Sequence, residues 1–201
     1  MDIPPENNLP INTSKINKII LASQSPRRKQ LLEWAEIPFD IIVQSTDESY
    51  PPDLSVDEIA IHIARNKALI IKKNNQSSNV ILAADTIVVL NNEVIGKPKD
   101  REDAIAILTK LSGQKHTVVT GVVILHGEKE VAFADTTSVE FHSITNEQIV
   151  FYVDKYQPYD KAGAYAIQEW IGVIGIKSVT GDFYNVMGLP VSRVVQALSK
   201  I

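Results

Sequence analysis

No cysteine occurs in the sequence, which removes disulfides, thiolate nucleophiles and zinc–cysteine centres from consideration and suits a reducing compartment. Histidine is scarce. His62, His116, His126 and His142 show none of the spacings, such as H-E-x-x-H, that set two imidazoles on one metal. Trp34, Trp170 and the tyrosines are too scattered to form a base-stacking platform for nucleic acid. No stretch approaches the about 18 consecutive apolar residues of a membrane span. A net charge of −4 provides no global positive field to hold nucleic acid or an anionic bilayer. The expectation is a soluble, cytoplasmic chain with no nucleic-acid or membrane partner, in which any anion site is local.

What is present is ordinary globular material: 201 residues, 44% hydrophobic and 22% charged, enough to bury one sizeable core. The opening "MDIPPENNLPINTSKIN" holds three prolines and four asparagines but no apolar core of a signal peptide. It reads as a flexible N-terminal extension over residues 1–17, with residues 18–201 as a single domain.

Periodicity then alternates between helix and strand. Lys18 to Ala22 predicts a short buried strand and Pro26 to Ala35 a helix with proline in its tolerated first turn. "FDIIVQ" predicts a second strand, and Ser55 caps a long helix running to about Lys73. "NVILAADTIVVL", a turn at Asn91 and Asn92, and "EVIGKP" predict a hairpin. Asp100 and Asp103 open a helix that Gly113 ends. "HTVVTGVVIL" and "VAFADTTSVEFH" predict paired strands. Thr145 and Gln148 form a capping-box pattern, and "GDFYNVMGLPVSRVVQAL" a turn followed by a short amphipathic helix. The fold class is α/β.

Three residues break their local pattern. On the long helix, Ile59, Ala60, Ile63, Ala64, Ile70 and Ile71 form one apolar stripe, and Lys67 falls in the middle of it. Such a lysine either snorkels its ammonium to water or aims it at an anion in a cleft. Asp85 interrupts the apolar run from Val80 to Leu90. It is either a carboxylate capping a strand end or a site group that requires a cation, a metal or backbone donors opposite. Lys97, just across the predicted hairpin, is by itself a solvated loop lysine, but with Lys67 and Asp85 it completes a constellation.

"LASQSPRRKQLL" places a strand end, a polar loop and a helix N-terminus in sequence. Free backbone N–H groups there attract an anion, and Arg27 and Arg28 add forked donors that match phosphate oxygens. The plain alternative is an N-capped surface helix. Yet cations in a helix's first turn oppose its dipole, a penalty that an anionic ligand offsets. Neither G-x-x-x-x-G-K-[ST], G-x-G-x-x-G nor G-x-S-x-G occurs. A small phosphorylated molecule is the ligand these features suit.

Six stretches, "LASQSPRRKQLL", "IARNKA", "AADTIVVLNNEVIGKP", "LSGQKHTVVTGV", "YQPYDKAGAYAIQ" and "NVMGLPV", resemble in order the Maf family of nucleoside triphosphate pyrophosphatases, from about Lys18 to Leu198. The resemblance implies a mixed twisted sheet with flanking helices and two lobes around a nucleotide cleft, related to the inosine triphosphate pyrophosphatases. It implies hydrolysis of a nucleotide between its α and β phosphates by a cytoplasmic homodimer. Ser23, Arg27 and Arg28 fall on the family's phosphate-binding loop, Glu48 on its acidic loop residue, and Lys67 and Lys97 on its lysines. Asp85 falls on its proton acceptor.

Within the family, the pattern acting on dTTP and UTP has P-R-R in the loop, threonine after the acid, and I-Q. Arg27, Thr86 and Gln168 satisfy it, and modified pyrimidine nucleotides extend the same substrate class. The 7-methyl-GTP-type pattern is not met. "EWIGV" after Gln168 departs from the glycines common there. A divalent cation is implied, Mg²⁺ with Mn²⁺ or Co²⁺ as alternatives, for which Asp85 and Glu48 are the candidate ligands. Asp85 as base, as metal ligand or as both stays open. The rival function is a nucleotide-binding regulator of septum formation in cell division, without turnover.

Overall fold

The computed structural model describes residues 17–75 and 79–201, so the expected extension lies almost wholly outside the described residues. The architecture is built around β3 (Ile81–Leu90), whose residues are buried except at Asp85 and Thr86. Such a run, apolar on both faces, belongs at the centre of a sheet covered on both sides. Along one flank β3 pairs antiparallel with β5 (Lys115–His126) over nine positions, from Ile81 opposite Leu125 to Val89 opposite Thr117.

The other flank is divided. β1 (Ile19–Leu21) runs parallel to β3 only at Ile20↔Ile81 and Leu21↔Leu82. β4 (Glu93–Ile95) returns antiparallel from a turn at Asn91 and Asn92 and pairs only at Val88, Val89 and Leu90. Both turn asparagines have positive φ, 51° and 65°, as a tight two-residue hairpin requires. Between the two short partners β3 has a notch in its ladder, and Asp85 and Thr86 occupy it. Because strand side chains alternate, the two point to opposite faces of the sheet.

The remaining strands are β2 (Phe39–Ile41), β6 (Lys129–Phe141) and β7 (Ile176–Thr180), giving the order β2-β1-β3-β5-β6-β7 with β4 beside β3. The mixed parallel and antiparallel sheet is the expected class.

One face of the sheet is covered by α2 (Val56–Asn74). It starts at a capping box in which Ser55 accepts from the Glu58 N–H while Glu58 accepts from the Ser55 N–H. Its Ile59, Ala60, Ile63, Ala64, Ala68 and Ile71 are buried. Burying each isoleucine contributes about 2 kcal/mol. α2 approaches closely because β5 has no side chain at Gly121, where a Cβ would stand 2.2 Å from the Ala60 carbonyl carbon. The other face carries the larger core. There α1 (Pro26–Trp34), α3 (Arg101–Leu111), α4 (Asn146–Tyr156) and α7 (Val191–Leu198) bury Leu32, Leu108, Tyr152 and Val194.

Most expected elements are present, with boundaries moved by up to three residues. "FDIIVQ" is strand only to Ile41, because β1 ends at Leu21 and Ile42 finds its last backbone partner in the Leu21 carbonyl, 3.2 Å away. α5 (Trp170–Gly175) and β7 had no clear periodic signal. The turn expected at the start of "GDFYNVMGLPVSRVVQAL" instead holds a short helix, α6 (Phe183–Met187), which Asp182 caps by accepting from the Tyr184 N–H and Gly188 ends at φ 119°. Among the described residues no helix is long and apolar enough to cross a membrane.

Candidate active site

The loop after β1 passes the notch and enters α1 with Pro26 in first position. Ser25 caps that helix, its hydroxyl accepting from the Arg28 N–H, while its own N–H donates to Ser23 Oγ at 3.2 Å. Arg28 is 8% exposed and turns its guanidinium inward. Nε donates to the Gly188 carbonyl at 2.8 Å, Nη1 to Ser23 Oγ at 3.0 Å and Nη2 to Thr86 Oγ1 at 2.9 Å. Burial lowers its pKa, a shift that the charges of Asp85 and Glu48 partly offset. Thr86 in turn meets Thr120 Oγ1 at 2.9 Å, and Thr120 donates to the Asn185 carbonyl. A polar chain therefore runs from the loop through the notch to α6.

On the α2 face, Lys67 holds two acids. Its Nζ lies 2.6 Å from Asp85 Oδ1 and 2.7 Å from Glu48 Oε1. Lys67 and Asp85 are 17% and 13% exposed, so this is a partly desolvated pair rather than a surface contact. The snorkelling alternative for Lys67 and the strand-end cap for Asp85 both give way to this pairing. Glu48, from the proline-rich loop, also faces Lys97 at 3.9 Å. Burial alone would raise its carboxyl, but the Lys67 hydrogen bond and the charges of Lys67, Lys97 and Arg28 outweigh it and hold Glu48 below the usual carboxylate range.

Arg27 points elsewhere. Its Nη1 lies 3.1 Å from Asp160 Oδ2, and Asp160 Oδ1 takes a 2.7 Å bond from Lys161 Nζ. Lys161 is 7% exposed and also faces Glu169 at 3.5 Å, while Glu169 accepts from the buried Tyr152 hydroxyl. Burial, then the hydrogen bond and charge of Glu169, push that phenol's pKa up.

Both groups open on one cavity of about 610 Å³. Ser23, Arg27, Arg28, Glu48, Lys67, Asp85, Thr86 and Lys97 all line it. Val88, Val118, Ala162, Ala166, Met187 and Tyr165 supply apolar lining to the same cavity. Gln168 is not brought into this lining; it is exposed, two residues beyond Ala166. A buried arginine, a lysine shared by two acids, and basic residues at a strand end form a site for a polyanion attached to a flat, partly apolar group.

A sequence model of the Maf-like protein family matches residues 18–201. The chain belongs to the Maf family. Over 191 residues it is 49% identical to a dTTP/UTP pyrophosphatase of Cytophaga hutchinsonii, an alignment covering 95% of this chain and 87% of that one. It is 46% identical over 185 residues to a dTTP/UTP pyrophosphatase of Bacteroides thetaiotaomicron, covering 92% and 96%. Among solved structures, the Staphylococcus aureus Ham1 protein superposes with a TM-score of 0.50 at 18% identity, over 92% of this chain and 99% of that one. That likeness establishes the shared fold.

Asp160 and Lys161 went unassigned in the sequence reading. The available signal was the charged pair heading an otherwise apolar run, "DKAGAYAI", which leaves Lys161 to be buried with whatever acid is near. For a metal, the described residues contain no group of three or more His, Asp or Glu side chains. Asp85 and Glu48 nevertheless converge on one ammonium from separate elements. Two carboxylates supplemented by phosphate oxygens and water are the kind of donor set Mg²⁺ takes, so the residues fit.

Proposed function

We propose that this Maf-family chain hydrolyses dTTP and UTP, and modified pyrimidine triphosphates with them, between the α and β phosphates. The observation that carries this is the pairing of Lys67 with Asp85 and Glu48 in the notch, beside a basic strand-end loop. The triphosphate lies along the loop, with Ser23 on its oxygens, Arg27 reaching them with the part of its guanidinium that Asp160 does not hold, and Arg28 holding Ser23 and Thr86 in place. Water attacks the α phosphorus and gives up a proton to Asp85. The bond to the α–β bridging oxygen breaks, and its electron pair leaves with pyrophosphate. Charge then grows on the leaving group, where Lys67, Lys97 and Arg27 stabilise it; fixed cations of this kind usually supply the largest share of such a barrier reduction.

Asp85 and Glu48 would hold the divalent ion implied by the family, Mg²⁺ before Mn²⁺ or Co²⁺. When bound, it neutralises phosphate charge and polarises the P–O bonds. Specificity falls to Arg27 and Thr86, which line the cavity, and to Gln168, which is exposed outside that lining. The family resemblance also supports a cytoplasmic homodimer, which light scattering at twice the chain mass would test.

The deciding experiment incubates purified protein with a panel of nucleoside triphosphates and Mg²⁺ and measures pyrophosphate separately from phosphate. Pyrophosphate from dTTP and UTP is expected. Binding without any release would instead support the septum-formation regulator.

A further inference from the structure

We propose that Asp160 and Lys161 read the imide edge of the pyrimidine and are what separates uracil and thymine from cytosine. This rests on the pyrophosphatase reading above and deepens it. The cavity is lined by two groups of charged residues, and their balance differs. Around Asp85 and Glu48 the cations Lys67, Lys97 and Arg28 are in surplus, which suits phosphates. In the second group Arg27 and Lys161 are matched in number by Asp160 and by Glu169, which faces Lys161, so no net positive charge is left there to draw the phosphate chain. Val88, Val118, Ala162, Ala166 and Met187 supply apolar lining in the same cavity. A nucleotide whose phosphates lie on the first group lays its ring against those apolar residues, with its polar edge toward Asp160 and Lys161.

The donors and acceptors there match one base edge. An ionised carboxylate offers about four acceptor positions. Asp160 commits one oxygen to Lys161 at 2.7 Å and the other to Arg27 at 3.1 Å, which leaves room to accept from a ligand N–H. The ammonium carries three donors, and Asp160 and Glu169 account for two of them. Side by side, the pair presents an acceptor next to a donor. Uracil and thymine present N3–H next to a carbonyl, the complement. Cytosine held in the same register presents a bare N3 lone pair to the acceptor and an amino group to the donor, so acceptor meets acceptor and donor meets donor. Asp160 is half-exposed in the free protein and Lys161 is buried, so once the ring covers the pair such a mismatch leaves a donor and an acceptor cut off from water and unpaired, a strong source of discrimination between similar substrates.

The pair is also held rigidly. Lys161 is buried between two acids, Tyr152 anchors Glu169, and the following Gly163 has φ +71° with its N–H on the Gly96 carbonyl at 3.1 Å. A Cβ at Gly163 would come 3.0 Å from Val88, so the segment sits directly on β3.

Two measurements test this. With unaltered protein, kcat/KM for UTP is compared with that for N3-methyl-UTP, which lacks only the imide proton; a loss of about tenfold or more is expected. In Asp160→Asn, whose amide both donates and accepts, kcat/KM for UTP should fall while that for CTP stays level or rises. Equal turnover of UTP and its N3-methyl derivative, or equal losses for UTP and CTP in the variant, would overturn the assignment. Unaltered protein that releases no pyrophosphate from UTP would instead defeat the pyrophosphatase reading. Should Asp160→Asn not fold, the methylated substrate still decides.

Discussion

Gly121 lies directly opposite Asp85 in the β3–β5 ladder, and the α2 backbone at Ala60 rests on it. Lys67 follows Ala60 by seven residues, about 10 Å along the same helix. The depth at which Lys67 meets Asp85 thus depends on how closely α2 seats over a glycine. In Gly121→Ala the new methyl would stand 2.2 to 2.4 Å from backbone atoms of Ala60 and Ile61, which cannot rotate aside. The helix must lift. A loss of about 2 kcal/mol or more is expected from urea denaturation, with turnover reduced as well. Unchanged stability would mean that α2 is not seated on this glycine.

Asp85→Asn removes the proposed proton acceptor and keeps its shape. Turnover should fall about 10²-fold or more, the scale of losing a general base. Lys67 keeps Glu48 as a partner, so the melting midpoint should stay level or rise. Activity within about threefold of the parent would make Asp85 structural, since a general base contributes far more than that.

Lys67→Met retains the aliphatic stem packed in the α2 stripe and deletes the charge. Asp85 and Glu48 then share a space without their common cation. Catalysis should fall about 10²-fold, the order typical of a lost electrostatic contact to developing charge. Folding should suffer much less, because α2 keeps its buried residues. Kinetic constants equal to those of the parent would remove Lys67 from the mechanism.

His116 makes acid stability predictable. It is buried against Phe141 and Tyr165, and Nε2 meets the Tyr165 hydroxyl at 2.7 Å. Burial lowers its pKa from 6.5 to about 4. Between those values the unfolded chain binds a proton that the folded chain refuses. Stability is therefore fully present above pH 6.5 and declines as pH falls toward 4, by at most about 1.4 kcal/mol per pH unit. His116→Gln has no proton to take up, so its stability should fall less steeply across that window. Identical slopes for the two proteins would exclude His116 as the source.

Much of this arrangement was legible in the sequence, for identifiable reasons. Helix caps are local, so Ser55 as an N-cap and Thr145 with Gln148 as a capping box declared their helices. Lys67 and Asp85 stood out because each carries charge where the periodic pattern is apolar. What was hidden is non-local. Nothing in "SPRRK" distinguishes Arg28, turned inward to Gly188 and Thr86, from Arg27, turned toward Asp160. That difference arises only when α6 and the segment after α4 fold over the loop. β7 was obscured because its residues, all half-buried or exposed, show little hydrophobic alternation.

Substrate ranking supplies the last prediction. The triphosphate is common to all nucleotides, so discrimination must come from contacts to the base. The pyrimidine-type pattern of Arg27, Thr86 and Gln168 points to dTTP and UTP alike. We expect kcat/KM for dTTP and UTP to be similar and to exceed those for CTP, ATP and GTP. Gln168 is exposed and does not line the cavity, so its amide would meet a base only from outside the wall. Gln168→Glu exchanges an N–H donor for an acceptor and adds a negative charge. It should lower kcat/KM for dTTP and UTP mainly through KM, while Asp160→Asn changes which base is preferred. Equal values for UTP and CTP in the unaltered protein would sink the pyrimidine assignment. A Gln168→Glu profile identical to the parent's across all five nucleotides would remove that residue from recognition and leave Asp160 and Lys161 to carry it.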